Sequence, residues 1–339
     1  MRHKTDGTIQ KDLDDGIDTI GKKMTVCQLY AKQIRHRGNV RYNTKNGRKR
    51  LMKLLEEDKL VGCPIDSVKL SDAKEWAIRM KEKGISYKTI SNDKRSLKAA
   101  FYTAIQDDCI RKNPFDFQLN TVIEDDTEPK VPLTPAQEES FLSFAQNDKV
   151  YQKYYDELII LLGTGLRISE LCGLTDTDID FENRIINVDH QLLRSAKTGY
   201  YIETPKTKSG IRQIPMSEKV YEAFNRVLKR RRGAKAVTID GYSNFLFLNR
   251  DGYPKTATNY DGMFRGLAKK YNKYHEEALP KVMTPHTLRH TFCTNMANAG
   301  MNPKALQYIM GHSNITMTLN YYAHATFDSA KAEMLRIAA

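Results

Sequence analysis

The stretch Thr164-Gly-Leu-Arg167-Ile-Ser-Glu170-Leu171 follows an apolar segment, Leu158 to Leu162, that is typical of a buried helix. A guanidinium matches phosphate oxygens two at a time, so Arg167 is a candidate anion-binding residue. Glu170 stands three residues later, at a spacing that brings two side chains together on one helical turn. A purely structural pair of Arg167 with Glu170 is the plain alternative.

A second basic motif, His286-Thr-Leu-Arg289, follows Thr284-Pro285. A capping residue before a proline predicts the start of a helix. The spacing puts both basic side chains on one helical face, close to the end of the helix that attracts anions. Because His-x-x-Arg is common by chance, this motif carries weight only together with others.

A third segment contains an imidazole and phenols. Asn302-Pro303 predicts a helix that ends at Gly311 and delivers His312 onto a turn. Tyr322 follows ten residues later, in a predicted short helix. The three segments together supply two arginines, two imidazoles and a phenol that converge on one anion.

These residue types suit cleavage of a phosphodiester by transesterification, which needs a neutralised phosphate, a nucleophile and a proton donor. Arg167 and Arg289 are candidates for the phosphate, and Tyr322 is the candidate nucleophile. We expect no metal and no cofactor, because the histidines match no familiar metal spacing and no carboxylate accompanies them. Those histidines are His286, His290, His312 and His324.

The composition agrees with a nucleic-acid partner. Lysine and arginine number 54 against 41 acidic residues, giving a net charge of +13, a balance that suits a polyanion. The five scattered cysteines indicate neither disulfides nor a zinc site. With no apolar stretch long enough for a membrane span and no secretion signal, we expect a cytoplasmic protein.

A chain of 339 residues exceeds the size of most single cores, about 250 residues, so we predict two domains. Residues 24–117 have a helical pattern. Its best helix follows Ser86 and has an apolar stripe made of Ile90, Leu97, Phe101, Ala104 and Ile105. Two basic faces are predicted to contact DNA, with ordinary solvated faces as the alternative. Their residues are Arg41, Lys45, Arg48 and Lys49 on one segment, and Lys88, Asn92 and Arg95 on the other.

An acidic, proline-containing linker separates this unit from a second one, which opens with a helix at Thr134-Pro135. The second unit is predicted to contain strand-like runs at 184–189, 200–204 and 211–215. The last two flank a Ser-Gly turn, so we expect a hairpin with Lys206 and Lys208 at its tip.

The motifs closely resemble those of the tyrosine recombinase, or phage-type integrase, family, particularly integrases of conjugative transposons from Gram-positive bacteria. The residues around Arg167 resemble the family's first arginine box, 286–292 its His-x-x-Arg box, and 310–324 its last box. The resemblance implies a mostly α fold with a small antiparallel β-sheet, arranged as a two-domain clamp. The expected divisions are an amino-terminal arm (1–23) left after a missing arm-binding domain, a helical core-binding domain (24–117), a linker (118–132), a mixed α/β catalytic domain (133–323) and a docking helix (324–339).

The resemblance also implies an activity. A site-specific recombinase of this kind cuts and rejoins DNA through a 3′-phosphotyrosyl bond, here on Tyr322, to integrate and excise a mobile element without metal or ATP. Arg167 and Arg289 would clamp the phosphate, supported by His312.

The remaining roles implied by the family concern protons and support. His286 would position the nucleophile and accept its proton, Lys206 would be the general acid, and Glu170 would brace the first arginine.

Two residue choices stay open. Tyr321 adjoins Tyr322, which we prefer because Ala323 and His324 follow it as in the family, and Lys208 adjoins the preferred Lys206. Two other functions compete: a type IB topoisomerase, which reseals the same strand, and a DNA-binding regulator with an inactive site.

The expected partners are double-stranded DNA with core recombination sites, further copies of the chain and an accessory excision protein. Phe327, Ala330, Met334 and Ile337 are spaced as in an amphipathic helix, which in the family docks on a neighbouring subunit. The resemblance implies a homo-tetramer on paired sites, located in the bacterial cytoplasm at the nucleoid. Binding to distant arm sites is not expected.

Overall fold

The computed structural model describes residues 21–38, 40–128, 131–205, 207–231, 237–322 and 334–335. The chain divides into two compact units, 1–129 and 130–339. The described residues are mainly helical and include two small antiparallel sheets, which confirms the predicted fold class. The predicted domain bounds stay predictions. The packing of the first unit continues past residue 117, since Leu119 and Ile123 are buried in its core.

The described α-helices of the first unit are α1 (Val26–His36), α2 (Tyr42–Glu56), α3 (Leu70–Glu82) and α4 (Tyr87–Gln106). The long helix α4 follows Ser86 as the sequence predicts. Its buried residues Ile90, Leu97, Phe101 and Ala104 form one stripe because their spacings match the helical repeat. This stripe faces a core that also contains the fully buried Trp76.

The second unit is built around one apolar helix. Its described α-helices are α5 (Pro135–Asn147), α6 (Tyr155–Thr164), α7 (Ile168–Gly173), α8 (Glu218–Arg231), α9 (Ala257–Tyr274), α10 (Pro285–Asn298), α11 (Pro303–Met310) and α12 (Thr316–Leu319). The predicted central helix is α6, which packs against α8 and α10 and buries Leu158, Ile160 and Leu161. The helix starts predicted at Thr134, Thr284 and Asn302 are confirmed.

The strands form two separate sheets. They are β1 (Ile179–Asp180), β2 (Ile185–Val188), β3 (Gln191–Ser195), β4 (Gly199–Glu203) and β5 (Arg212–Pro215). Strand β2 lies between β1 and β5 and is antiparallel to both, and β3 is antiparallel to β4. These sheets place β5 beside the elements that carry the candidate site.

The predicted hairpin between the runs 200–204 and 211–215 is wrong. Strand β4 pairs with β3, whereas β5 pairs with β2. The connection between them contains Pro205, which lacks the N–H that a strand ladder needs. It also contains a 3₁₀ turn, Lys208–Gly210, so that Lys208 lies on a connection between two sheets and not at a hairpin tip.

Most of the predicted amino-terminal arm (1–23) and of the predicted docking helix (324–339) lies outside the described residues. Within the docking segment only Met334 and Leu335 are described, and both are exposed. None of the helices in the described part of the chain is both long and apolar enough to cross a membrane.

Candidate active site

Arg167 stands between two helices and is held by groups close to it in sequence. Gly165 ends α6 in the left-handed region with a φ of 62°, and Arg167 is the N-cap of α7. The backbone N–H and the guanidinium of Arg167 both donate to the Glu170 carboxylate, at 2.8 and 2.7 Å. The guanidinium also donates to the Gly311 carbonyl at 2.9 Å. The side chain stays 37% exposed, which leaves it accessible to an anion.

Arg289 is buried on α10 and joins the ends of two other helices. Its guanidinium donates to the carbonyls of Gly165, after α6, and Met310, at the end of α11. Burial, followed by the positive charge of Arg167, lowers the pKa of Arg289 to about 9. Arg289 is therefore still a cation at neutral pH.

His312 follows the left-handed Gly311 that ends α11. The imidazole is buried, and its Nδ1 lies 3.0 Å from the Thr318 hydroxyl. Burial and then the nearby arginines, Arg289 most strongly, lower the pKa of His312 to about 4. His312 is therefore neutral at pH 7, because burial and, after it, the neighbouring positive charges both disfavour its protonated form.

The sequence analysis missed Arg212, the first residue of β5. Its guanidinium donates to both oxygens of the Glu170 carboxylate, at 3.1 and 2.9 Å. Burial raises the pKa of Glu170, but the hydrogen bonds from Arg212 and the charges of Arg212, Arg167 and Arg289 outweigh it and lower the pKa to about 2. One sequence signal was present: alternation along β5 puts Arg212 on the same side as the buried Ile214.

Arg167, Glu170 and His312 line one pocket of about 380 Å³. Its other lining residues are Gln191, Pro205, Thr207, Gly210, Gly311, Ser313 and Met317. The pocket thus brings together the first arginine box, the connection after β4 and the turn after α11. Arg167 is the arginine that lines it, and the buried Arg212 and Arg289 act on its Glu170 carboxylate from within the protein. Three arginines against this one carboxylate leave an excess of positive charge around the pocket at neutral pH.

The two tyrosines follow α12. The Tyr322 hydroxyl donates to the Met301 carbonyl at 2.5 Å, and the Tyr321 ring lies 4.7 Å from the His290 ring, measured between centroids. Burial, followed by the effect of Cys293, raises the pKa of both phenols. Neither tyrosine lines the pocket, so their geometry leaves the choice of nucleophile open.

The proton-transfer candidates differ in what is described. His286 is exposed on the first turn of α10, and its charge contributes to the low pKa of His312. Lys206 lies outside the described residues. Lys208 is exposed on the 3₁₀ turn, beside the pocket residues Thr207 and Gly210.

The predicted DNA-binding residues lie on two helices of the first unit, apart from Arg41, which is the N-cap residue before α2. Lys88, Asn92 and Arg95 are exposed on α4. Lys45 and Lys49 are exposed on α2, whereas Arg41 and Arg48 are half-buried. The structure thus puts both groups at least partly on the surface without testing their role.

Among the described residues, Asp178, Asp189 and His190 form a group close enough to hold a metal ion. The His190 ring nitrogens already face protein acceptors, Asp189 at 2.6 Å and the Gly173 carbonyl at 2.8 Å. These contacts satisfy the imidazole, so we read the group as structural. None of its members lines the arginine pocket.

These features define a DNA strand transferase of the tyrosine type. The first unit is helical, and the second combines clustered arginines with a neutral buried imidazole and two nearby phenols. Comparison with known proteins agrees. Residues 132–329 match the model of the phage integrase family, and the chain belongs to that family.

Relatives with high identity are transposon proteins. The transposase from transposon Tn916 of Enterococcus faecalis is 68% identical over 329 residues, which are 97% of this chain and 81% of the relative. The Tn1549 transposon integrase, solved in complex with a circular intermediate DNA, is 78% identical with a TM-score of 0.88, covering 93% of this chain and 99% of that one. The chain is therefore a tyrosine recombinase of the integrase type, which acts in site-specific recombination for integration and excision.

A more distant structure shares the fold alone. It is a lambda integrase dimer bound to a core site, 17% identical with a TM-score of 0.58, covering 86% of this chain and 92% of that one.

Proposed function

We propose that the arginine pocket binds the scissile phosphate of double-stranded DNA and that Tyr322 attacks it. Arg167 and Arg289 neutralise the non-bridging oxygens, and neutral His312 donates a hydrogen bond to one of them. Support comes from related proteins: the Tn1549 transposon integrase was solved with circular intermediate DNA and with transposon right end DNA.

The observation that carries this proposal is the charge imbalance around Glu170, which lines the pocket together with Arg167. Arg167, Arg212 and Arg289 surround the single carboxylate of Glu170. Buried charges in a stable protein are normally paired. The excess of cations around Glu170 therefore favours an anionic substrate. The same arginines add to the effect of burial in lowering the pKa of His312 to about 4.

The reaction is a transesterification. A bond forms between the Tyr322 oxygen and phosphorus, and the bond from phosphorus to the 5′ oxygen breaks, giving a 3′-phosphotyrosyl bond and a 5′ hydroxyl. His286 accepts the phenolic proton, and Lys206 donates a proton to the leaving oxygen. A 5′ hydroxyl of the partner duplex then reverses these steps, so that the bond energy is retained and ATP is not needed.

Tyr322 must first leave the Met301 carbonyl, because its hydroxyl is occupied there. A carbonyl oxygen is too weak a base to activate a phenol. Attack therefore requires a rearrangement of the segment after α12 that exchanges this hydrogen bond for one to His286.

The nucleophile is tested with the protein, its Tyr322→Phe form and its Tyr321→Phe form on a nicked core-site duplex in EDTA. We expect a covalent protein–DNA adduct on a denaturing gel that only Tyr322→Phe abolishes. Loss in Tyr321→Phe alone would move the nucleophile by one residue. Binding without any adduct would indicate an inactive DNA-binding protein, and relaxation of supercoiled DNA without partner exchange would indicate a topoisomerase.

The general acid is tested with Lys206→Ala and Lys208→Ala. A substrate with sulfur in place of the leaving 5′ oxygen needs little protonation, because a thiolate is a good leaving group. This substrate should restore cleavage by Lys206→Ala and should leave Lys208→Ala unchanged. The reverse pattern would assign the role to Lys208.

The first unit is proposed to hold the DNA through Lys88, Asn92 and Arg95 on α4, and through a second group at the start of α2 and along it. The second group consists of Arg41, Lys45, Arg48 and Lys49. The exposure of Lys45, Lys49 and the three residues on α4 supports phosphate contacts, and the half-buried Arg41 and Arg48 lie beside them in sequence.

We further propose a homo-tetramer on paired sites, joined through residues 324–339, with an accessory protein for excision and a location in the bacterial cytoplasm at the nucleoid. Mass measurement of complexes on paired core sites should give four chains for the protein and fewer after removal of 324–339. Tetramers of both forms would contradict the role of this segment.

A further inference from the structure

Arg212 is a deeply buried charge of the second unit that the proposed mechanism does not use. Its side chain is 0% exposed. Burying a guanidinium away from water costs free energy unless neighbouring acceptors and opposite charges compensate for the lost hydration. Its contacts therefore indicate what the residue is for.

The first set of contacts leads to Arg167. Arg212 donates to both oxygens of the Glu170 carboxylate. The same carboxylate accepts hydrogen bonds from the guanidinium and the backbone N–H of Arg167. Glu170 alone could rotate about its own side-chain bonds. With Arg212 fixed on the far side, the carboxylate has one orientation, and Arg167 is oriented by it.

The second set of contacts leads to the other walls of the pocket. Arg212 Nε donates to the Ile309 carbonyl at 2.6 Å, three residues before His312, and one terminal nitrogen donates to the Gly210 carbonyl at 3.1 Å. Gly311 packs directly on this guanidinium: a Cβ there would lie 3.1 Å from it and 3.0 Å from the Ser209 carbonyl. One side chain thus connects α11 with the 3₁₀ turn after β4.

Counting donors separates Arg212 from a phosphate ligand. A guanidinium has five N–H groups. In Arg212, Nε donates once, one terminal nitrogen donates twice and the other donates once, so four are used within the protein. Arg212 therefore influences the reaction through the groups it holds.

We propose that Arg212 is a positioning residue for strand cleavage, which fixes Arg167 through Glu170 and sets the spacing of the turn at 208–210 and of His312 around the phosphate. This inference rests on the proposed function. Lysine cannot replace Arg212, because an ammonium group lacks the planar fork of donors that binds the Glu170 carboxylate and a backbone carbonyl at the same time.

The test compares Arg212→Lys with Arg226→Lys. Arg226 also donates to a buried carboxylate, that of Asp156 at 2.8 Å, at the start of α6, far along the helix from Gly165. The rate of adduct formation in a single turnover at saturating nicked duplex is measured together with the Kd for that duplex. A misplacement of about 1 Å costs about 100-fold in rate, so we expect a loss of that order in Arg212→Lys, with an unchanged Kd and a normal rate in Arg226→Lys.

A double-mutant cycle with Glu170→Gln separates positioning from general destabilisation. If Arg212 acts through Glu170, the rate loss of the double variant is clearly smaller than the product of the single losses. Independent losses, or equal rates in Arg212→Lys and Arg226→Lys, would overturn the inference. Glu170→Asp, which keeps the charge and shortens its reach, is the substitute if Arg212→Lys does not fold, and a wild-type rate in it would likewise overturn the inference. A wild type that forms no Tyr322 adduct would refute the proposed function itself.

Discussion

Asp93 in the first unit of this integrase and Glu170 in the second are both buried carboxylates, but they are paired in different ways. In the first unit, Asp93 is paired with one arginine, Arg50, whose nitrogen lies 2.6 and 2.7 Å from its two oxygens. In the second unit, Glu170 is paired with Arg212 and Arg167 together. The first arrangement is balanced in charge, and the second has an excess of cations.

The pKa values record this difference. Burial raises the pKa of Asp93 in spite of Arg50. For Glu170, burial is outweighed by the arginines, and the pKa falls to about 2. Arg50 thus does not fully compensate the buried charge of Asp93, whereas the arginines around Glu170 do so and leave positive charge over. That surplus, beside a pocket lined by Arg167 and His312, separates the Glu170 cluster from the ion pair of Asp93.

The strongest way to test the comparison is to make the same change in each unit. Arg167→Lys removes the fork that faces the pocket, and loss of one such donor costs about 100- to 1000-fold in rate. Arg79→Lys removes a comparable fork, which binds the buried Asp58 in the first unit at 2.7 and 2.9 Å. Single-turnover cleavage at saturating DNA should fall only in Arg167→Lys. Equal losses in both variants would remove the distinction.

The stability of the two arrangements should differ as well. Glu170→Gln leaves buried arginines without their counter-charge, and breaking such a cluster costs about 3–5 kcal/mol. Asp93→Asn should cost less than about 1 kcal/mol, since burial already opposes the charge of Asp93 and Arg50 is 44% exposed to water.

Urea unfolding checks this expectation. Trp76 is the single tryptophan and lies in the first unit, so its fluorescence follows that unit, while circular dichroism follows the whole chain. A larger loss for Asp93→Asn would contradict the comparison.

The pH dependence of stability should have opposite signs. The pKa of Glu170 is lowered in the folded protein, so its contribution is present above about pH 4.5 and is lost as the pH falls toward 2. The advantage of the wild type over Glu170→Gln should therefore shrink in this range. The pKa of Asp93 is raised in the folded protein. The free energy of unfolding of the wild type should therefore increase relative to that of Asp93→Asn as the pH falls through that raised pKa. Unfolding free energies at a series of pH values would decide, and parallel slopes would refute both assignments.

The smallest expected effect concerns the exposed basic face of α4. Replacing Lys88 or Arg95 with alanine should reduce the salt dependence of DNA binding by about one unit of slope each, with unchanged cleavage at saturation. Lys59, also exposed in the first unit, provides the control Lys59→Ala. Identical slopes for all three variants would show that α4 does not contact the phosphates.

Features that depend on neighbours in sequence could be predicted. The helix starts at Thr134, Thr284 and Asn302 follow from capping residues and prolines within four positions. The contact between Arg167 and Glu170 lies within one helical turn. Here local chemistry is sufficient, and both the motif and its geometry can be read from the sequence.

Features that depend on distant pairing could not. The hairpin was wrong because nothing near residues 200–215 shows that β5 pairs with β2 across the chain. Arg212 was missed because Glu170, its partner, is 42 positions away. The roles of Tyr322 and Lys206 stay predictions, since the Tyr322 hydroxyl is bonded to Met301 away from the pocket and Lys206 lies outside the described residues.

Gly165 has a consequence for inactivating mutations. It adopts a left-handed backbone, its carbonyl accepts from Arg289, and a Cβ would lie 2.5 Å from Phe292 and 2.9 Å from Met310. A single-base change to alanine or serine would strain the backbone and would also displace the Gly165 carbonyl that accepts from Arg289. A mobile element could thus lose its mobility through a residue that has no side chain and takes no part in the chemistry.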